Sequence, residues 1–122
     1  MIADRYANYV YALMRAVFGF LFIFHGLQKI FGLFGGRAAE LISLRGLAGV
    51  IEIGAGTLIM LGWFTRPAAF VASGQMAVAY FLSHQPAGMW PIQNRGELAA
   101  LYCFAFLYIA ARGAGPLSVD RR

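Results

Sequence analysis

Four apolar segments, each roughly 20 residues long, take up most of this 122-residue chain and leave only short connections between them. A helix of about 20 apolar residues is long enough to cross the hydrocarbon core of a bilayer. Charged residues make up 12% of the chain, whereas they account for about a quarter of an ordinary globular domain. We therefore predict an all-α fold, a four-transmembrane-helix bundle that forms one domain over residues 1–122.

Glycine- and proline-rich breaks set the limits of the predicted spans. The first run ends before Gly32, and the second ends at Gly62-Trp63, ahead of Pro67, which suits the first position of a helix. The first run is longer than the apolar core of a signal peptide and lacks a small-residue cleavage site after it, so we expect a retained helix. The predicted spans cover residues 9–31, 46–63, 67–84 and 94–111.

The basic residues that give the chain a net charge of +5 lie at the ends of the apolar runs. A nucleic-acid-binding protein instead gathers such residues in a patch or stripe, so we predict no nucleic-acid partner. Four spans place both termini on one side of the membrane, and that side holds six basic residues against four on the other. Because Lys and Arg favour the cytoplasmic side, we predict cytoplasmic termini.

Ionisable side chains interrupt the apolar runs in the predicted outer half of the bundle. His25 and Lys29 are four residues apart and therefore share one face of a helix. Glu52 lies about two turns into the second run, among apolar neighbours. Ionisable groups are costly inside a bilayer and usually face the protein interior at a pathway or a site. We predict a ligand-binding polar cluster formed by His25, Lys29, Glu52, His84, Trp90, Asn94 and Glu97.

Several of these residues also have a purely structural interpretation, which the sequence leaves open. Lys29 can extend its stem to the membrane surface or form a salt bridge with Glu52, and Arg15 can extend to the opposite surface. The stretch Asn94-Arg95-Gly96-Glu97 has the spacing of a capping box, in which Asn94 caps the fourth helix and Glu97 folds back.

Metal and cofactor chemistry find little support in the sequence. Di-iron bundles carry Glu-x-x-His pairs on their helices, and the chain has none, so we predict no metal site. Cys103 is the single cysteine, which excludes an intrachain disulfide or a C-x-x-C redox pair. Without a recognisable flavin, haem or nicotinamide motif we expect no intrinsic cofactor, and any electrons must come from a partner. Whether the chain is an enzyme stays open.

Ordered motifs extend over nearly the whole chain. They are Arg15, His25-Gly26-x-x-Lys29, Gly62-x-Phe64-Thr65-Arg66-Pro67, Trp90-Pro91-x-x-Asn94-x-Gly96-Glu97 and Gly113-x-Gly115-Pro116-x-Ser118-x-Asp120. As a set they resemble the DoxX family of small bacterial membrane proteins. The resemblance implies a multi-pass protein of the bacterial inner (cytoplasmic) membrane. One branch of the family is similar to the membrane subunit of thiosulfate:quinone oxidoreductase, and other members are associated with oxidative-stress and thiol systems.

We accordingly expect a redox-associated subunit that binds a quinone or another lipid-soluble molecule in the polar cluster. In that function His25 and Lys29 donate hydrogen bonds to the ligand, Glu52 and Glu97 accept protons, and Trp90 covers the ring. The expected partners are the lipid bilayer and either a soluble redox enzyme or a second copy of the chain. A non-enzymatic anchor or assembly subunit is the alternative, and a small-solute transporter is disfavoured because the inner half has few polar residues.

Overall fold

The computed structural model describes residues 2–33, 35, 38, 40 and 42–120, and all regular structure in these residues is helical. The prediction of an all-α fold is therefore confirmed for the described part of the chain. Helix α3 continues directly into a π-helical turn, Tyr80–His84, and a 3-10 turn, Gln85–Ala87. The α-helices are α1 (Ile2–Phe31), α2 (Leu44–Leu61), α3 (Thr65–Ala79), α4 (Pro91–Asn94) and α5 (Glu97–Arg112).

The helices follow the predicted apolar runs, with three differences. Helix α1 begins at Ile2 rather than near residue 9, and the third run leaves α-helical geometry after Ala79. The helix of the fourth predicted span, α5, begins at Glu97 rather than at residue 94, because Arg95 adopts a left-handed conformation with φ of 60° after the short helix α4. Two helices are long and apolar enough to cross a membrane, namely α1 from Asp4 onward and α2.

Helices α1 and α2 run antiparallel with their backbones in contact. A Cβ atom on Gly19 would lie 2.7 Å from the carbonyl oxygen of Gly56 and 2.5 Å from the backbone nitrogen of Met60. No side chain fits in that space. Glycine at such a crossing allows the close helix approach that is common in membranes, where dispersion contacts rather than the hydrophobic effect hold helices together.

One hydrophobic core joins α1, α2, α3 and α5. Phe22, Ile59, Ala72 and Phe106 are fully buried in it, one from each of the four helices. On α5, the rings of Tyr102 and Phe106 stack with an interplanar angle of 9°, and Phe22 of α1 packs against both. These aromatic contacts attach α1 to α5 in addition to α2.

The C-terminal segment Gly113–Asp120 folds back over one end of the helices, which we call the tail end. Its backbone amides at Val119 and Asp120 donate to the carbonyls of Leu61 and Gly62, at 3.1 and 2.8 Å. The Asp120 carboxylate accepts hydrogen bonds from the backbone amides of Phe64 and Thr65, at 3.1 and 2.9 Å. Asp120 therefore caps the start of α3 from a distant part of the chain. The opposite end, which contains Lys29 and His84, is the loop end.

Arg15 is buried beneath this segment, with 1% of its surface exposed. Its side chain therefore does not extend to the membrane surface, contrary to the interpretation that the sequence allowed. A guanidinium has five N–H donors in a fixed fork, and the end of a helix leaves carbonyls without intrahelical partners. Arg15 satisfies carbonyls at the end of α2 and in the C-terminal segment. It donates to those of Ile59, Met60, Ala114, Pro116 and Leu117.

Candidate functional site

A buried carboxylate at the loop end connects three helices. Lys29 of α1 donates to Oε2 of Glu52 of α2 at 2.5 Å, so the salt-bridge interpretation of Lys29 is the one found. Gln75 of α3 donates its Nε2 to the same oxygen at 2.9 Å. The Glu52 side chain is 0% exposed, whereas that of Lys29 is 24% exposed. We call Lys29, Glu52 and Gln75 the Glu52 group.

Gly26 explains how Lys29 comes within reach of Glu52. A Cβ atom on Gly26 would lie 2.7 Å from the carbonyl oxygen of Gly49 and 2.9 Å from the backbone nitrogen of Ile53. Helices α1 and α2 therefore touch at this level. Lys29 is three residues further along α1, close to the same face, so the contact at Gly26 places its ammonium group against α2.

Two oxygen atoms of the Glu52 group have no hydrogen-bond partner among the described residues. They are Oε1 of Glu52 and Oε1 of Gln75, and both are buried. Lys29 and Gln75 direct their donors to Oε2 of Glu52 only. Most buried polar atoms in proteins are hydrogen-bonded, so the group retains unused capacity to accept hydrogen bonds.

His25 lies beside the Glu52 group and links it to the aromatic core. Its ring meets Tyr102 of α5 edge-on, with centroids 5.8 Å apart and an interplanar angle of 87°. His25, which is one turn before Lys29 on α1, therefore completes a neighbourhood to which α1, α2, α3 and α5 all contribute.

A second polar group at the loop end is organised by Asn94. Its side-chain nitrogen donates to the Tyr80 hydroxyl and to the Gly88 carbonyl, at 3.1 and 3.0 Å, and its side-chain oxygen accepts from the Gly96 amide at 2.8 Å. Nδ1 of His84 lies 3.2 Å from the Asn94 carbonyl oxygen. Because a carbonyl can only accept, this contact places a proton on Nδ1 and leaves Nε2 of a neutral His84 as an acceptor.

The capping-box interpretation of Asn94 and Glu97 is wrong. Asn94 is the last residue of α4, and the residue that precedes α5 is Gly96, with no side-chain cap. The pattern requires a helix that starts directly after Asn94, and the left-handed Arg95 prevents this. Glu97 is exposed and borders a surface cavity of about 230 Å³ together with Pro91, Ala100, Leu101 and Phe104.

The seven candidate residues thus fall into separate places at the loop end. Lys29, Glu52 and His25 come together, His84 and Asn94 form the second group, and Trp90 is 60% exposed at the start of α4. No set of three His, Cys, Asp or Glu side chains suited to a metal ion occurs in the described ranges.

The predicted cluster did not include Gln75, Tyr80 and Tyr102, which the structure places in contact with its members. For Gln75 a signal existed, since it is a polar residue well inside an apolar run.

Similarity to known proteins shows the family of this chain. The DoxX family model matches residues 10–85. The chain belongs to the DoxX family. It is also similar to an uncharacterized protein from Haemophilus influenzae, with 40% identity over 126 residues that cover 98% of this chain and 94% of the relative. No solved structure matches it.

The DoxX match confirms the family expected from the motifs. It includes all of the Glu52 group and ends one residue after His84. Asn94 and the tail segment lie beyond it, within the region shared with the Haemophilus influenzae protein. DoxX membership and the two candidate membrane helices identify the chain as a small membrane protein.

Proposed function

We propose that this DoxX protein is a redox-associated subunit of the bacterial inner membrane that binds a quinone or a similar lipid-soluble molecule at the Glu52 group. In this proposal α1, α2, α3 with its following turns, and α5 are the four membrane spans of a bundle. The termini face the cytoplasm, which the excess of basic residues on that side supports. The loop end then belongs to the outer half of the membrane.

The observation that carries the proposal is the fully buried carboxylate of Glu52. Removing a carboxylate and an ammonium from water costs several kcal/mol per ion, and their mutual attraction often does no more than offset this cost. Packing of α1 on α2 does not require the pair, because the backbone contact at Gly19 already joins these helices. A binding role accounts for a charged group that packing alone would not demand.

The chemistry of the group suits a quinone-like ligand. An ammonium has three donors, and Lys29 uses one of them on Glu52 while its side chain stays 24% exposed. A further donor is therefore available to a ligand carbonyl. Reduction of a quinone to a hydroquinone consumes two electrons and two protons. Glu52 and His25 are titratable groups next to Lys29, and a partner redox enzyme would supply the electrons.

Native purification followed by mass spectrometry of the organic extract tests this function. We expect roughly one quinone-like molecule per chain in the wild type, in line with a single site, and little or none in Glu52→Gln. Glu40→Gln is the matched control, because Glu40 is exposed outside the helices. The double variant Lys29→Met/Glu52→Gln removes both charges together, so that loss of ligand can be separated from an unpaired buried lysine.

Each variant needs a thermal melt in detergent beside the extract. Ligand loss in a variant that still unfolds cooperatively supports a binding role for the Glu52 group. A wild-type extract that contains only bulk phospholipid contradicts the proposal. That result would favour the anchor or assembly role, and the search would move to co-purifying proteins.

A further inference from the structure

We infer that the Glu52 group selects a ligand that donates hydrogen bonds: a neutral, lipid-soluble molecule with at least one hydroxyl group, such as a hydroquinone or phenol, in preference to its oxidised carbonyl form. The inference rests on the binding function proposed above and specifies the chemical class of the ligand.

The side-chain amide of Gln75 has a single favourable orientation. Its Nε2 donates to the Glu52 carboxylate at 2.9 Å. The reversed orientation would set the amide oxygen against the carboxylate oxygen, so the ion pair fixes the amide as it stands. Oε1 of Gln75 is consequently directed away from Oε2 of Glu52, and it has no donor among the described residues.

The two oxygens of the Glu52 carboxylate differ in their hydrogen bonds. Oε2 of Glu52 accepts from both Lys29 and Gln75, while Oε1 accepts from none of the residues that the structure describes. The group therefore has two buried acceptors, Oε1 of Gln75 and Oε1 of Glu52, one on each side of the hydrogen bond from Gln75 to Glu52. A ligand that reaches either atom has to supply an O–H or N–H group, because two acceptors facing each other repel.

The charges of the Glu52 group favour a neutral ligand. Lys29 and Glu52 form an ion pair, so their charges compensate each other. The ammonium of Lys29 disfavours a second cation, and the unpaired oxygens disfavour an anion. A neutral hydroxyl satisfies the acceptors without adding charge to a buried site, whereas a quinone carbonyl can accept from Lys29 but leaves both buried oxygens without a donor.

Calorimetric titration of the wild-type protein in detergent, under anaerobic conditions, tests the selection. The three ligands are trimethyl-1,4-benzohydroquinone, trimethyl-1,4-benzoquinone and the dimethyl ether of the hydroquinone. The quinone keeps nearly the same shape without donors, and the ether removes the donors without changing the oxidation state. We expect the hydroquinone to bind about tenfold or more tightly than either of the other two, the ratio typical of one hydrogen bond to a charged acceptor.

Gln75→Met locates the preference at the Glu52 group. It removes one of the two acceptors and leaves Lys29 and Glu52 in place, so we expect a smaller preference for the hydroquinone. Gln93→Met is the matched control, because Gln93 is exposed on α4. The control should keep the wild-type ratio of affinities. Circular dichroism of both variants checks that the helices are retained.

The outcomes separate the inference from the function on which it rests. Equal binding of all three ligands, or tighter binding of the quinone, overturns the donor preference while ligand binding itself stands. A preference that Gln75→Met leaves unchanged overturns the assignment to the Glu52 group. Failure of all three to bind overturns both the inference and the proposed function, and it would assign the two free acceptors to bound water.

Discussion

Replacement of Gly26 by alanine tests whether close contact between α1 and α2 sets the geometry of the candidate site. The added Cβ would lie 2.7 Å from the Gly49 carbonyl oxygen, whereas ordinary contact begins near 3.4 Å. Cγ1 of the Ile53 side chain is nearer still, at 2.6 Å, but the Gly49 oxygen and the Ile53 nitrogen belong to the backbone of α2 and cannot rotate away. Helix α1 therefore has to move from α2 by about 0.7 Å, the difference between these two distances.

The energetic effect can be isolated with a second glycine. Over-packing of a tight contact typically costs about 1–3 kcal/mol, but alanine also gains roughly 1 kcal/mol over glycine in a helix. At Gly54 of α2 a Cβ meets no atom of the described residues within 4 Å, so Gly54→Ala shows the propensity gain alone. The difference between the two variants then equals the packing cost. We expect Gly26→Ala to be less stable than Gly54→Ala by about 1–3 kcal/mol.

Equilibrium unfolding in detergent, followed by circular dichroism, measures this difference. The displacement also lengthens the path from Lys29 to Glu52, so Gly26→Ala should weaken ligand binding while Gly54→Ala leaves it at the wild-type level. Equal stability of the two variants would refute the close contact between α1 and α2. Lower stability with unchanged ligand binding would show that the site does not depend on that contact.

Three further substitutions test the contacts at the two ends. Arg15→Met should lower the free energy of unfolding by at least about 3 kcal/mol, since several buried carbonyls lose donors worth roughly 1 kcal/mol each. Arg5→Met is the control, because Arg5 is exposed, and it should leave the free energy of unfolding nearly unchanged. Equal effects of the two substitutions would contradict the burial of Arg15. Asp120→Ala should cost about 1 kcal/mol and speed amide exchange in the first turn of α3, and unchanged exchange would rule out the cap. Asn94→Ala should make residues 85–91 more sensitive to limited proteolysis, and a wild-type cleavage rate would show that its hydrogen bonds do not hold this segment.

The sequence was sufficient to propose the ion pair between Lys29 and Glu52, but not to predict the full Glu52 group. A four-residue spacing places His25 and Lys29 on one face, and a carboxylate in an apolar run demands a partner. Which partner it takes depends on the rotation and depth of each helix, and hydrophobic periodicity does not determine these. Gln75 illustrates the difficulty. Its contact with Glu52 arises because it lies nine residues before the end of the π-helical turn at His84, which is similar to the eight residues that separate Glu52 from the start of α2.

The tail end shows a second limit of sequence reasoning. Contacts such as that between Asp120 and Thr65 span 55 residues, and no local pattern announces them. The motif ending at Asp120 was noted only as part of a family resemblance. Conversely, the capping-box pattern at Asn94 was local and specific, but a single left-handed residue, Arg95, removed the helix start on which it depended. Helix positions were therefore easier to predict than helix connections.

The two ends of the molecule use their buried polar groups differently, and this contrast supports placing the site at the loop end. At the tail end Arg15 is matched by five backbone carbonyls and Asp120 accepts from two amides, so these charges serve the fold. The Thr65 hydroxyl there has no partner among the described residues, but it is neutral and free to rotate. At the loop end the buried Glu52 carboxylate has one oxygen that accepts from no residue in the described part of the chain. An unused charged acceptor is the costlier state, and a donating ligand relieves it.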